Sequence, residues 1–153
     1  MRRMIAAVVV VLGSLALLAQ ADPAVGTWKL NAAKSKYDPG PAPKELVIVI
    51  ASDGENRKIN AKGTDPEGKP ISIAYTTGLD GKEVAVSGAP AYDTQSAKRI
   101  DANTIEATRK KGGKVVQNAT TSVSKDGKTL TITTTGTDER GRKIHNVAVY
   151  DRQ

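Results

Sequence analysis

The single histidine, His145, stands in a sequence without cysteine. A catalytic triad needs a nucleophile, a base and a group that orients the base, and a zinc site needs several nitrogen or sulfur ligands. Those residue types are not present in number. Asp53, Asp65, Asp80, Asp126 and Asp138 lie in turn-type stretches such as Asp53-Gly54 and Asp126-Gly127, where a carboxylate serves its own backbone. No Asp-x-Asp-x-Asp run supplies the alternating oxygens of a calcium loop, and no Gly-rich phosphate loop leads into a helix. The reading is therefore no catalytic residues, no metal and no cofactor. The chemistry left is recognition: a guanidinium, Arg109, that can pair an anionic head group, and the polar side chains of Tyr75, Gln117, Asn146 and Tyr150 that can orient a ligand.

Those residues act together only if the backbone turns them to one side. Turn signals recur about every ten to fifteen residues, and no long 3.6-residue period follows the leader. Ten strands are predicted: Gly26 to Leu30, Lys44 to Ala51, Arg57 to Gly63, Pro70 to Thr76, Glu83 to Ser87, Asp93 to Ile100, Thr104 to Lys110, Lys114 to Ser124, Thr129 to Thr135 and Lys143 to Tyr150. Asn31 is expected to cap one short helical turn, Ala32 to Tyr37, between the first two strands. Pro39-Gly40-Pro41-Ala42-Pro43 then forms a stiff connector. Asp-Gly and Gly-Gly between alternating runs are hairpin signals. A meander with one apolar face removes its edges by closing. The expected fold is all-β: a single antiparallel up-and-down barrel of eight to ten strands.

An internal repeat sets which side chains face inward. Gly63-Thr64-Asp65-x-x-Gly68 recurs as Gly136-Thr137-Asp138-x-x-Gly141, each preceded by Asp-Gly and a strand. The overlay pairs Ile59 with Ile132, Ile73 with Asn146 and Tyr75 with Ala148. It places Ile144, Asn146, Ala148 and Tyr150 inside, and His145, Val147 and Val149 outside. The inner face is then made of medium and small residues, among them Ile59, Ala61, Ile71, Ile73, Val84, Val86, Ala107, Ala119, Leu130, Ile132 and Ala148. With no phenylalanine in the chain, those residues are expected to leave part of the lumen unfilled.

Residues 1–21 read as a secretory signal peptide: Arg2 and Arg3, an apolar Ile5 to Leu18, then Ala19-Gln20-Ala21. The apolar run is shorter than the roughly 20 residues of a spanning helix. Residues 22–153 are the expected barrel domain, in the periplasm or secreted. Two of the charges behind the formal +7 belong to the leader, and the rest are spread along the chain. A nucleic-acid surface would need clustered charge with interleaved aromatics, so no nucleic-acid partner is expected. A weak contact with an anionic envelope surface fits the basic exterior.

Gly26-x-Trp28 on the first strand resembles the Gly-x-Trp signature of lipocalins. Gly26-Thr27-Trp28-Lys29-Leu30, the strand count and the terminal Val149-Tyr150-Asp151-Arg152 look more like fatty-acid-binding proteins. Both are calycin-type barrels, and the chain as a whole resembles small exported bacterial lipocalin-like proteins. The resemblance implies that Trp28 packs at the closed end of the barrel under a basic side chain. It implies an inward arginine two residues before a tyrosine on the last strand, holding a ligand carboxylate. Tyr150 matches that tyrosine, but Ala148 stands where the arginine would be, which speaks against a fatty acid held in that way.

The sequence thus predicts a monomeric barrel that binds a small apolar or amphipathic ligand without catalysis. Its candidate ligand-binding residues are Trp28, Ile59, Ile73, Tyr75, Val86, Arg109, Gln117, Ile132, Asn146 and Tyr150. The alternative is a barrel with a filled interior, acting through its basic exterior as an envelope or protein-interaction module. The size of the interior space separates the two.

Overall fold

The computed structural model describes residues 21–153; the predicted signal peptide lies outside the described residues but for Ala21. Eleven strands form one antiparallel sheet: β1 Gly26–Leu30, β2 Lys36–Asp38, β3 Glu45–Asp53, β4 Asn56–Thr64, β5 Pro70–Thr77, β6 Val84–Ala85, β7 Thr94–Arg99, β8 Thr104–Lys111, β9 Lys114–Val123, β10 Thr129–Thr137 and β11 Lys143–Arg152. The order is β5-β4-β3-β1-β11-β10-β9-β8-β7-β6, with β2 also on β11. The first and last strands pair, Trp28 opposite Arg152 and Leu30 opposite Tyr150. The remaining seam, between β5 and β6, is held by one bridge. Ala74 and Ser87 exchange two backbone hydrogen bonds there, of 3.0 and 2.9 Å. The all-β, up-and-down barrel expected from the alternation is what forms, nearly closed.

The repeat is real in register. Ala61 faces Ile73 and Gly63 faces Ile71 in one hairpin; Thr134 faces Asn146 and Gly136 faces Ile144 in the other. The two turns are built alike. Asp65 N–H donates to the Lys69 carbonyl at 2.9 Å, and Asp138 N–H to that of Arg142 at 3.0 Å. Each aspartate carboxylate accepts the N–H of the same partner, at 2.7 and 2.9 Å. Both hairpins also share a glycine at a tight crossing. A Cβ at Gly63 would stand 2.1 Å from the Glu45 carbonyl oxygen, and one at Gly136 2.1 Å from that of Val116. Glycine there lets neighbouring backbones approach as the sheet curls.

Two elements differ from expectation. The helical turn is shorter, Ala32–Lys34, and the chain then straightens into β2. Asn31 Oδ1 caps the turn by accepting the Lys34 N–H at 3.2 Å. Ser35 Oγ accepts the Val149 N–H at 2.9 Å, which pins the chain beside β11 and makes Lys36–Asp38 a strand. The strand expected over Glu83 to Ser87 is only Val84–Ala85, because Gly81 and Gly88 adopt positive φ on either side of it.

Trp28 and Leu130 are the large side chains fully buried, and with Ala24, Ile48, Ile50, Val123 and Tyr150 they belong to the core cluster. Trp28 Nε1 donates to the Ala24 carbonyl at 2.9 Å. The Arg152 guanidinium lies 4.2 Å from the centre of the indole and donates to the Val25, Pro23 and Gly127 carbonyls at 2.9, 2.6 and 2.6 Å. Residues 22–25 are thereby tied across the closed end.

Candidate functional site

Above this end the inner faces enclose a chamber of about 270 Å³. Leu46, Ile48, Ile50, Ile59, Ile105 and Ile132 supply aliphatic wall, and Ala61, Ala97, Ala107 and Ala148 leave the width unoccupied. Empty space persists in a close-packed interior only where the side chains are too small to meet. Tyr37, Tyr75, Tyr92 and Tyr150, all four tyrosines of the chain, line the chamber.

At Tyr37, Ile73 and Asn146 the chamber meets a mouth basin of about 530 Å³. The basin is bordered by Pro39, Gly40, Pro41 and Pro43, by Gly88 and Pro90, and by the two repeat turns with Asp65, Glu67, Lys69, Asp138, Arg140 and Arg142. The repeat thus builds two lips of one opening.

Arg109 stands on the wall. Gln95 on β7, Arg109 on β8 and Gln117 on β9 form one cross-strand row. Arg109 Nε donates to Gln95 Oε1 and Nη1 donates to Gln117 Oε1, both at 3.1 Å. Gln117 Nε2 donates to the Thr137 carbonyl at 2.9 Å, which fixes its oxygen toward the guanidinium. The guanidinium lies 4.6 Å from the centre of the Tyr92 ring, within cation–π range. The register shifts just after Arg109, a bulge of the kind that re-aims side chains beside sites. Burial raises the Tyr92 phenol above its ordinary value, while Arg109 works in the opposite direction. Burial raises Tyr150 further, and the neighbouring Tyr37 phenol adds to that. The Tyr92 and Tyr150 phenols therefore stay protonated at neutral pH and present hydroxyls, not charges.

The chamber's other arginine is Arg57, near the closed end. Its buried guanidinium forms a salt bridge with Asp22, Nε to Oδ2, and Nη2 donates to Asp22 Oδ1 at 2.5 Å. Burial by itself would raise the Asp22 carboxyl. Hydrogen bonds from Arg57 and the Ala24 N–H, together with the Arg57 charge, outweigh burial and hold it below 3.8. A carboxyl lowered on folding contributes stability that is present above its unfolded value and lost as the pH falls through the folded one. Asp22→Asn is expected to cost about 1–3 kcal/mol at pH 7 and to flatten the decline of the urea midpoint below pH 3.8. Equal acid sensitivity in the two proteins would remove this pair from the stability of the closed end.

Of the predicted site residues, Ile59, Ile73, Tyr75, Arg109, Ile132, Asn146 and Tyr150 border the chamber. Gln117 borders the mouth and reaches the chamber through Arg109. Trp28 and Val86 border neither. Trp28 has the inward parity but sits too near the closed end, sealed by Ala24 and Arg152. Val86 is buried beside the seam, its N–H bonded to the Asp93 carbonyl at 2.9 Å. Sequence reasoning missed Tyr37, Tyr92, Gln95 and Arg57. The available signal was scarcity, since Tyr37 and Tyr92 are half of the chain's tyrosines and stand in for absent phenylalanines. His145 is exposed on β11, as its parity predicts. Among the described residues no group of three or more His, Cys, Asp or Glu could hold a metal ion.

No protein-family model matches the chain, and no curated protein matches it in sequence. Solved structures do match in fold. Zebrafish ileal bile acid-binding protein, in a crystal form complexed with cholic acid, aligns over 86% of this chain and 99% of its own, at 14% identity and a TM-score of 0.53. The Mycobacterium tuberculosis protein Rv2717c aligns over 86% of this chain and 93% of its own, at 15% identity and a TM-score of 0.54. The likeness is one of fold: a nearly closed, calycin-like antiparallel barrel.

Proposed function

We propose that this chain is an exported calycin-type barrel that binds a small, largely apolar molecule in its lumen and performs no chemistry on it. One observation carries the reading: a chamber of about 270 Å³, walled by aliphatic side chains and sharing Tyr37, Ile73 and Asn146 with the mouth basin. An apolar chamber gives water few partners, so it is better filled by apolar atoms. Enclosing about 200 Å² of apolar ligand surface is worth about 5 kcal/mol before association costs. The zebrafish barrel of like fold is complexed with cholic acid, which supports a small-molecule role for the lumen. The chamber's titratable side chains are phenols and guanidiniums, a set without the nucleophile, base and orienter of a catalytic site. The leader sequence supports export to the periplasm or beyond.

The test is titration with a neutral apolar fluorophore, phenylnaphthylamine. One-to-one saturable enhancement is expected, together with a retained small molecule in native mass spectra of protein purified from its source. A broad panel of neutral apolar probes without saturable binding would defeat the reading.

A further inference from the structure

We infer that Asp53 is a modification site: the Gly54 amide nitrogen attacks its carboxyl carbon, and the Asp53-Gly54 bond becomes an isoaspartyl linkage as the folded protein ages.

The chain has three Asp-Gly pairs, Asp53-Gly54, Asp80-Gly81 and Asp126-Gly127, and the glycine of each adopts positive φ. Glycine exposes its nitrogen to such an attack because no Cβ shields it. The fold treats the three pairs differently. Asp80 Oδ1 accepts the Lys82 N–H at 3.1 Å, and the Gly81 N–H donates to the Ala97 carbonyl at 2.8 Å. Asp126 Oδ1 accepts the Lys128 N–H at 3.0 Å and the Ser124 hydroxyl at 2.6 Å. The Gly127 N–H donates to the Ser124 carbonyl at 2.9 Å. At both sites, electrophile and nucleophile are held by other partners. Asp65 and Asp138 also accept backbone N–H groups. Asp53 is the exception among the five turn aspartates. Its carboxylate has no hydrogen-bond donor among the described residues, and the Gly54 N–H has no acceptor there. A Cβ at Gly54 would meet nothing within 4 Å, whereas one at Gly81 would meet Lys98 Cε at 3.0 Å. Asp53 is exposed at the end of β3, so only its terminal pair with Asn56 must open for the peptide plane to rotate. Protonation adds to the contrast. The Lys82 N–H lowers the Asp80 carboxyl, and Ser124 and Lys128 lower that of Asp126. Less of the acid form, which loses water, is then present at those two sites.

The reaction needs only solvent. The Gly54 nitrogen bonds to Asp53 Cγ, and the carboxyl hydroxyl leaves with the amide proton as water, closing a succinimide. Water then adds at either carbonyl. Addition at Cγ returns aspartate. Addition at the former main-chain carbon breaks its bond to nitrogen and leaves the chain running through Cβ and Cγ, one atom longer. That atom lies beside Ser52, which faces Arg57, the partner of Asp22.

The experiment holds the purified, folded protein in neutral buffer at elevated temperature for weeks. Isoaspartate is followed by peptide mapping and by labelling with an isoaspartyl carboxyl methyltransferase. Asp53 is expected to convert at least about fivefold faster than Asp80 or Asp126, where two kinds of hydrogen bond must break first. In urea the three sites are expected to converge, since each is the same Asp-Gly pair. Ser124→Ala removes one bond from the Asp126 carboxylate and should speed that site roughly two- to tenfold, with Asp53 unchanged. Equal rates at the three sites of the folded protein, or a slower Asp53, overturn the assignment. So does an Asp53 that stays unconverted in the folded protein while the unfolded chain converts it.

Discussion

Trp28→Ala is expected to lower the stability of the barrel by about 3–5 kcal/mol, measured as a shift of the urea midpoint followed by far-ultraviolet circular dichroism. The indole is fully buried and pairs β1 with the last strand and with β3, through Arg152 and Ile48. Removing it opens a cavity among Ala24, Ile50, Leu130 and Val123, which belong to the same cluster. It also leaves the Ala24 carbonyl without the indole N–H, and Arg152 without the ring it covers. Arg152→Ala should cost less, about 1–3 kcal/mol, because its bonds to Pro23, Val25 and Gly127 are exposed. Trp28→Phe keeps most of the volume and should fall between wild type and the alanine variant. The ordering is the discriminating result. If Arg152→Ala cost more than Trp28→Ala, the closed end would be held by the guanidinium bonds, and packing would be secondary. Since Trp28 does not border the chamber, the folded fraction of each variant should keep the affinity of wild type for a lumen probe.

The same residue shows how far a sequence can place a site. Alternation assigns each side chain to the inside or the outside, and the repeat extends that assignment from β4–β5 to β10–β11. Arg109, Asn146 and Tyr150 were legible in this way. Parity carries no information on height along the barrel. Trp28 and Ile73 share the inward parity, yet the first is core at the closed end and the second is wall beneath the mouth. Tyr37 was illegible for another reason. Its strand exists because β11 offers a partner and Ser35 holds the chain there, and neither cause lies in the local pattern. Tyr92 lies outside any strand and reaches the lumen through the β6–β7 connection. The Arg109 row needed the pairing of three strands, which no single segment encodes. The resemblance to calycin-type barrels supplied what parity could not for Trp28, including its basic partner, but the residue filling that role, Arg152, emerged only from the pairing of first and last strands.

Ala107→Phe is expected to abolish binding of the neutral probe, a loss of more than about 100-fold, while the protein stays folded. Ala107 lies on β8 between Ala97 and Ala119, a row of three alanines across β7, β8 and β9. Ala97 and Ala107 both border the chamber. A phenyl ring projecting from that row enters space that is already there, so the overpacking penalty of about 1–3 kcal/mol for a filled core does not apply in full. The added apolar burial acts in the opposite direction, and the urea midpoint is expected to hold or rise. The variant therefore separates two properties that a core mutation normally changes together. Ala107→Phe should remove the neutral probe because the space itself is gone. Unchanged affinity in a folded Ala107→Phe protein would place the probe outside the lumen and end the reading of this barrel as a container.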